Sequence, residues 1–168
     1  MDFNLTDEQQ MLRDGARRFF REHYGFEQRR AILAGGAGFS AECWSSYAEL
    51  GWLALGQPEE VGGSSCSFIE TAILMEEFGR ALALEPYVST AVLCARILER
   101  CDNAEARRSA LGAMVEGKAR FALAHYEPGG RYDARRLSVV AKRRGDDFLL
   151  NGWKSCVLDA PAADRLIV

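Results

Sequence analysis

The chain has 168 residues, 48% of them hydrophobic and 27% charged, with a formal net charge of -3. That length could bury one sizeable core, or one complete domain plus part of a second. The negative balance argues against nucleic acid as a partner, since phosphate binding needs a clustered positive surface, and no apolar run approaches the roughly 20 residues of a membrane span. The start carries an acid at Asp2 and no apolar run behind it, which does not suit a signal peptide; a cytoplasmic location is expected.

Thr6 and Gln9 form a capping box, in which hydroxyl and amide satisfy opposite orphan backbone donors. Leu12, Ala16, Phe19 and Phe20 then recur at helical spacing, while Asp14, Arg17, Arg18 and Arg21 take the other side. The pattern predicts a helix from Asp7 to His23, with His23 as a partner for the C-terminal dipole. A second helix is expected over Phe26 to Leu33, ending at Gly35-Gly36. Ser40 opens a third, with Trp44, Tyr47 and Leu50 inward and Gly51 as its terminator. A polar loop, Gln57 to Ser65, follows. Ser67 with Glu70 reads as another capping box, leading an apolar helix through Ile69, Ile73, Met75 and Phe78. Pro86 suits the first turn of a fifth helix carrying Val88, Val92, Ala95 and Leu98. Asp102 with Glu105 marks a sixth, ending at Gly117. Six consecutive helices make an antiparallel bundle the default.

Near Arg120 the period changes. Phe121 to Ala124 is too short for another helix, and Glu127-Pro128-Gly129-Gly130 is a turn. Leu137 to Lys142, Asp147 to Leu150, Lys154 to Leu158 and Arg165 to Val168 read as strands. The fold class expected is therefore α+β: a helical bundle over residues 1–117, followed over 118–168 by the first strands of an incomplete, barrel-like β domain. A sheet ending at Val168 leaves an edge unpaired, so this portion is expected to be loosely held. The paired basic residues Arg17-Arg18, Arg107-Arg108 and Arg143-Arg144 are spaced as solvated faces, and Glu59-Glu60 and Glu76-Glu77 read as surface charges. Cys43, Cys66, Cys94, Cys101 and Cys156 lack metal-binding spacing and suit free thiols in a reducing compartment; no metal is expected. Nucleophile-elbow, phosphate-loop, zinc-protease and dinucleotide motifs are all absent.

Three segments in order carry a family resemblance. They are Phe3-Asn4-Leu5-Thr6-Asp7-Glu8-Gln9; then Glu49-Leu50-Gly51-Trp52-Leu53 with Pro58-Glu59-Glu60-Val61-Gly62-Gly63 and Glu76-Glu77-Phe78-Gly79-Arg80; and then Glu127-Pro128-Gly129 with Leu150-Asn151-Gly152-Trp153-Lys154 and Ala163-Asp164. Together they resemble the acyl-CoA dehydrogenase family across essentially the whole chain. The resemblance implies a helical N-terminal domain, a flavin-binding β domain and a C-terminal helical domain. It implies FAD as cofactor, an acyl-CoA substrate desaturated between Cα and Cβ, an electron acceptor, and homo- or hetero-oligomers of family subunits. The family's catalytic glutamate belongs to the C-terminal domain, so no catalytic residue is assigned within 1–168, and the chain alone is expected to be inactive and to hold FAD poorly.

By the same resemblance the flavin positions are Ala124, His125 and Tyr126 before the turn, and Cys156 and Leu158 after the Asn-Gly-x-Lys segment. Tyr132 falls at a substrate position. Tyr126 stands where the family places a threonine; Cys156 and Leu158 stand where it places an aromatic residue and a threonine. A different class of function is a non-catalytic helical module that pairs with another subunit of the family.

Overall fold

The computed structural model describes residues 4–130, 133 and 135–168. Its first helix starts as the capping box requires: the Gln9 amide N–H donates to Thr6 Oγ1 at 3.2 Å, and the Thr6 N–H donates to Gln9 Oε1 at 3.1 Å. Helix α1 (Asp7–His23) buries Ala16 and Phe20 against α4 (Phe68–Ala81). Between them lie α2 (Phe26–Ala34) and α3 (Ala41–Glu49), the latter capped by Ser40 Oγ on the Cys43 N–H. A π-helical run, Val88–Cys94, continues directly into α5 (Ala95–Leu98), and α6 (Ala104–Val115) closes the six-helix series.

Two apolar clusters hold the helical layer. The first is aromatic: Phe20, Tyr24, Trp44, Tyr47, Trp52, Phe78 and Tyr87 are all buried. Their rings meet mostly edge-to-face, with Tyr47 stacked on Trp52 at 5.3 Å and Phe78 on Tyr87 at 4.6 Å. Such pairs contribute about 0.5–1.5 kcal/mol beyond their area burial. The second cluster joins helices to strands. It packs Val61, Cys94, Ala95, Leu111 and Met114 with Ala119 and Phe121.

Among the described residues the strands form two separate pairs. β1 (Phe121–Leu123) lies parallel to β4 (Arg165–Ile167), and β2 (Val140–Arg144) lies antiparallel to β3 (Asp147–Asn151), with Arg144 opposite Asp147 at the turn. β1 leans on the helices. Thr90 Oγ1 donates to the Phe121 carbonyl at 2.9 Å and accepts the Phe121 N–H at 3.0 Å. At its start, Arg120 grips the approach to β4: its guanidinium meets Asp164 at 2.8 Å and its backbone N–H donates to the same carboxylate at 2.8 Å. Every residue of β2 and β3, by contrast, is exposed.

Several expectations fail on facing or register. Leu50, Ile69 and Val88 point outward, at 51%, 53% and 46% exposure. The π-helical backbone explains Val88, because its wider turn brings Ser89, Thr90 and Ala91 to the inside instead. The cap of α6 is Asn103 rather than Asp102, its Oδ1 accepting the Ala106 N–H at 3.0 Å. Glu77 is no surface charge: its side chain is 2% exposed and paired with Arg17 at 2.9 Å. Lys154 to Leu158 forms no strand. Cys156 sits in left-handed backbone at φ 51°, which breaks the ladder.

Candidate functional site

The residues singled out before and after the strand pair come together through the main chain. Ala124 continues β1, its N–H donating to the Ile167 carbonyl at 2.8 Å, and its side chain is buried. His125 and Tyr126 follow, with imidazole and phenol rings 5.2 Å apart and nearly perpendicular. The Ser155 N–H donates to the Tyr126 carbonyl at 2.8 Å. That single bond seats the segment bearing Cys156 directly beside the segment bearing Tyr126. Tyr126 is half exposed, and Cys156 and Leu158 are exposed. Leu158 stands just ahead of a 3-10 turn at Ala160–Ala162, where Asp159 accepts from Ser89 Oγ of the π-helical run. Tyr132 lies outside the described residues.

Beneath this face sits a polar hub that reading along the chain does not pick out as a site. Glu127 is buried, its side chain 2% exposed, and Lys154 reaches it at 2.8 Å with only 14% of its own side chain exposed. Glu127 also accepts from the backbone N–H and hydroxyl of Ser138 and from the Val139 N–H at 3.1 Å. The Lys154 ammonium and the Ser138 donors favour the ionised carboxylate and pull its pKa down from the ordinary 4.5 to about 2. Both residues belong to recognisable sequence segments, but they are separated by 27 positions and nothing local announces the pairing.

Elsewhere burial dominates the titrating groups. It pushes the Tyr47 and Tyr87 hydroxyls well above the ordinary tyrosine range and the Cys94 thiol up to about 11. Such a thiol is a packing residue and a poor nucleophile at neutral pH. Among the described residues no cluster of three or more His, Cys, Asp or Glu is arranged to hold a metal ion. None of the described helices is long and apolar enough to cross a membrane.

The architecture is that of an α+β protein in which a helical bundle feeds a partial sheet. The family model for the acyl-CoA dehydrogenase N-terminal domain matches residues 6–118. The chain belongs to the acyl-CoA dehydrogenase family. It is 30% identical to the mitochondrial isovaleryl-CoA dehydrogenase of Bos taurus over 167 residues, covering 98% of this chain and 39% of that protein. Benzylmalonyl-CoA dehydrogenase of Aromatoleum aromaticum is 28% identical, with 100% of this chain and 45% of that protein covered. Among solved structures, the ChsE4-ChsE5 complex from Mycobacterium tuberculosis superposes with a TM-score of 0.85 at 30% identity, over 99% of this chain and 43% of that one. The FAD complex of PigA gives 0.83 at 26% identity, over 99% of this chain and 44% of that one. The chain thus spans about two fifths of the length of these relatives.

At the five positions expected to meet a flavin, Ala124 is buried, His125 is half-buried, and Tyr126, Cys156 and Leu158 are exposed. Tyr126 and Leu158 offer exposed apolar surface, and the Tyr126 hydroxyl and His125 imidazole add hydrogen-bonding capacity beside it. The face is open. Ligand sites normally bury about 70–90% of their ligand, which a single platform does not do.

Proposed function

We propose that the chain is the N-terminal portion of an FAD-dependent acyl-CoA dehydrogenase, an oxidoreductase that desaturates acyl-CoA thioesters between Cα and Cβ. Residues 1–117 are its helical domain and 118–168 the opening of its flavin-binding β domain. The observation that supports this reading is the Ser155–Tyr126 backbone bond, which brings together two segments far apart in sequence that carry the proposed flavin positions. When bound, FAD supplies a two-electron acceptor for the hydride leaving Cβ. Ala124, His125, Tyr126, Cys156 and Leu158 form the face on which it rests, and Tyr132 is the residue assigned to the acyl-CoA substrate.

What these residues contribute is orientation. None is suited to take the α proton. Glu127, the buried carboxylate nearest the face, already accepts from Lys154, Ser138 and Val139 and is held ionised far below neutrality, so it is a weak base. The proton-abstracting glutamate is accordingly assigned outside residues 1–168. A cytoplasmic location accords with the five cysteines, all of them free thiols.

The 168-residue chain is expected to quench FAD fluorescence saturably but to lose the flavin on gel filtration, and to reduce dye at the blank rate with a panel of acyl-CoAs. A preparation that stays yellow with stoichiometric FAD would contradict the open-face account. Measurable turnover would mean that a carboxylate within residues 1–168 abstracts the proton. A second reading, a non-catalytic module pairing with a related subunit, is favoured by the hairpin. Phe148, Leu149 and Leu150 are all exposed there, as an interface strand would be, and the ChsE4-ChsE5 complex is among the similar structures. Further family subunits and an electron acceptor are the partners proposed.

A further inference from the structure

Three segments that bear on the cofactor face are tied by one buried ion pair. Lys154 Nζ meets Glu127 Oε1 at 2.8 Å and lies 3.4 Å from the His125 carbonyl. The other carboxylate oxygen takes the Ser138 N–H and hydroxyl, just ahead of β2. The bond from the Ser155 N–H to the Tyr126 carbonyl lies one residue from each member of the pair. A pair this secluded is a poor source of net stability, since desolvation offsets much of its attraction. Its geometric effect is different. A carboxylate with four hydrogen bonds, from Lys154, from Ser138 twice and from Val139, together with the carbonyl contact of the same lysine, leaves the main chain at 125–127 and 154–155 little freedom.

We propose that Glu127 and Lys154 are positioning residues for the cofactor face, fixing the backbone of Tyr126 against Ser155 so that the side chains of both segments meet the flavin in one arrangement. The proposal rests on the flavin reading given above. Neither residue touches the ligand; both act through the main chain of their neighbours.

The test uses the full chain with two readouts, amide hydrogen exchange without flavin and fluorescence titration with FAD. In Lys154→Met and Glu127→Gln, the amides of Ser138, Val139 and Ser155 are expected to exchange about tenfold faster or more, while those of Leu74 and Leu111 in the core keep their rates. FAD affinity should fall by about tenfold or more. Lys154→Arg, which keeps the charge and can reach the same carboxylate, should restore both. Unchanged exchange at Ser138 and Ser155 would overturn the clamp whatever FAD does. Loosened amides with unchanged FAD affinity would reduce the pair to a structural one and overturn the positioning role. Absence of saturable FAD binding to the unsubstituted chain would overturn the flavin reading itself, and the positioning role with it. If Lys154→Met loosens the core as well, Ser138→Ala, which deletes one hydroxyl and no charge, decides by the same two measurements.

Discussion

Glu127 is the residue whose environment departs furthest from what its neighbours in sequence suggest. It precedes a proline-glycine turn, a place where an acid is ordinarily solvated, yet it is buried and bonded. Its folded pKa is lowered to about 2 by the Lys154 ammonium and the Ser138 donors. A group depressed in the folded state contributes stability that is fully present above its unfolded value and is lost as the pH falls through the folded one. The window runs from the ordinary 4.5 down to about 2. In that window the unsubstituted protein is expected to lose stability more steeply than Glu127→Gln, and urea midpoints at pH 7, 4 and 3 will measure the difference. Parallel pH dependence in the two proteins would mean that the carboxylate is not held as described. The pairing was not legible in the sequence, because a through-space partner 27 residues away leaves no periodic trace. Glu77 escaped for the same reason: its cation, Arg17, lies on another helix, 60 residues away.

At the scale of elements, local chemistry was legible and long-range geometry was not. The box at Thr6 and the cap at Ser40 stand where their hydroxyls predict, because a cap needs only its own first turn; Ser67 caps α4 through the Ile69 N–H and donates to the Glu70 carboxylate instead of closing the expected box. On the fifth helix Val92, Ala95 and Leu98 pack inward as expected, and only Val88 was misread, because a 3.6-residue period cannot describe a π-helical run. The strand predicted over Lys154 to Leu158 alternates well enough on paper, but the left-handed Cys156 interrupts it. The loop before α4 carries a tighter constraint than its glycine-rich composition suggests. A Cβ on Gly63 would lie 2.1 Å from the carbonyl oxygen of Gln57, which is backbone and cannot swing aside. That same oxygen accepts the Ser65 N–H at 2.9 Å, and the Gln57 side chain is anchored to the Ala91 carbonyl at 3.2 Å. Gly63→Ala is therefore expected to destabilise the chain by about 2–3 kcal/mol, read from the shift of the urea midpoint at constant m. A shift within error would mean that the loop moves more freely than its hydrogen bonds imply. Gly117 makes the complementary case. At φ 71° it turns the end of α6 and offers its carbonyl to Trp44 Nε1 at 3.0 Å, so composition signalled a terminator but not the tryptophan it anchors.

For the molecule as a whole, protection should follow packing rather than secondary-structure type. The helices share two buried clusters, and β1 joins the second of them through Phe121. The β2–β3 hairpin shares neither and is exposed on every residue. Hydrogen exchange on the isolated chain is expected to be slowest around Leu74, Ala91 and Leu111 and to include Phe121 among the protected amides, while β2 and β3 exchange fast. Equal protection of the hairpin in a proven monomer would show that two strands suffice by themselves. The α+β class and the order of helices before strands were open to a reader of the sequence, because periodicity changes visibly near Arg120. The bond that joins the two halves was not, since Thr90 looks like any other polar residue in an apolar run until it meets Phe121.

The π-helical run has a consequence for how the chain tolerates changes in length. Each α-helical residue turns the axis by about 100°, and a π-helical run accommodates extra chain by widening instead. Deleting one residue between Val88 and Cys94 would let the backbone settle into an ordinary α-helix with every apolar side chain but one retained. It would also rotate Ser89 and Thr90 away from Asp159 and Phe121, their partners on the β side. Composition, hydropathy and helix propensity would hardly register the loss. The coupling of the helical layer to the β portion is thus written in the number of residues between two points, and a gap of one there is a larger change than most substitutions.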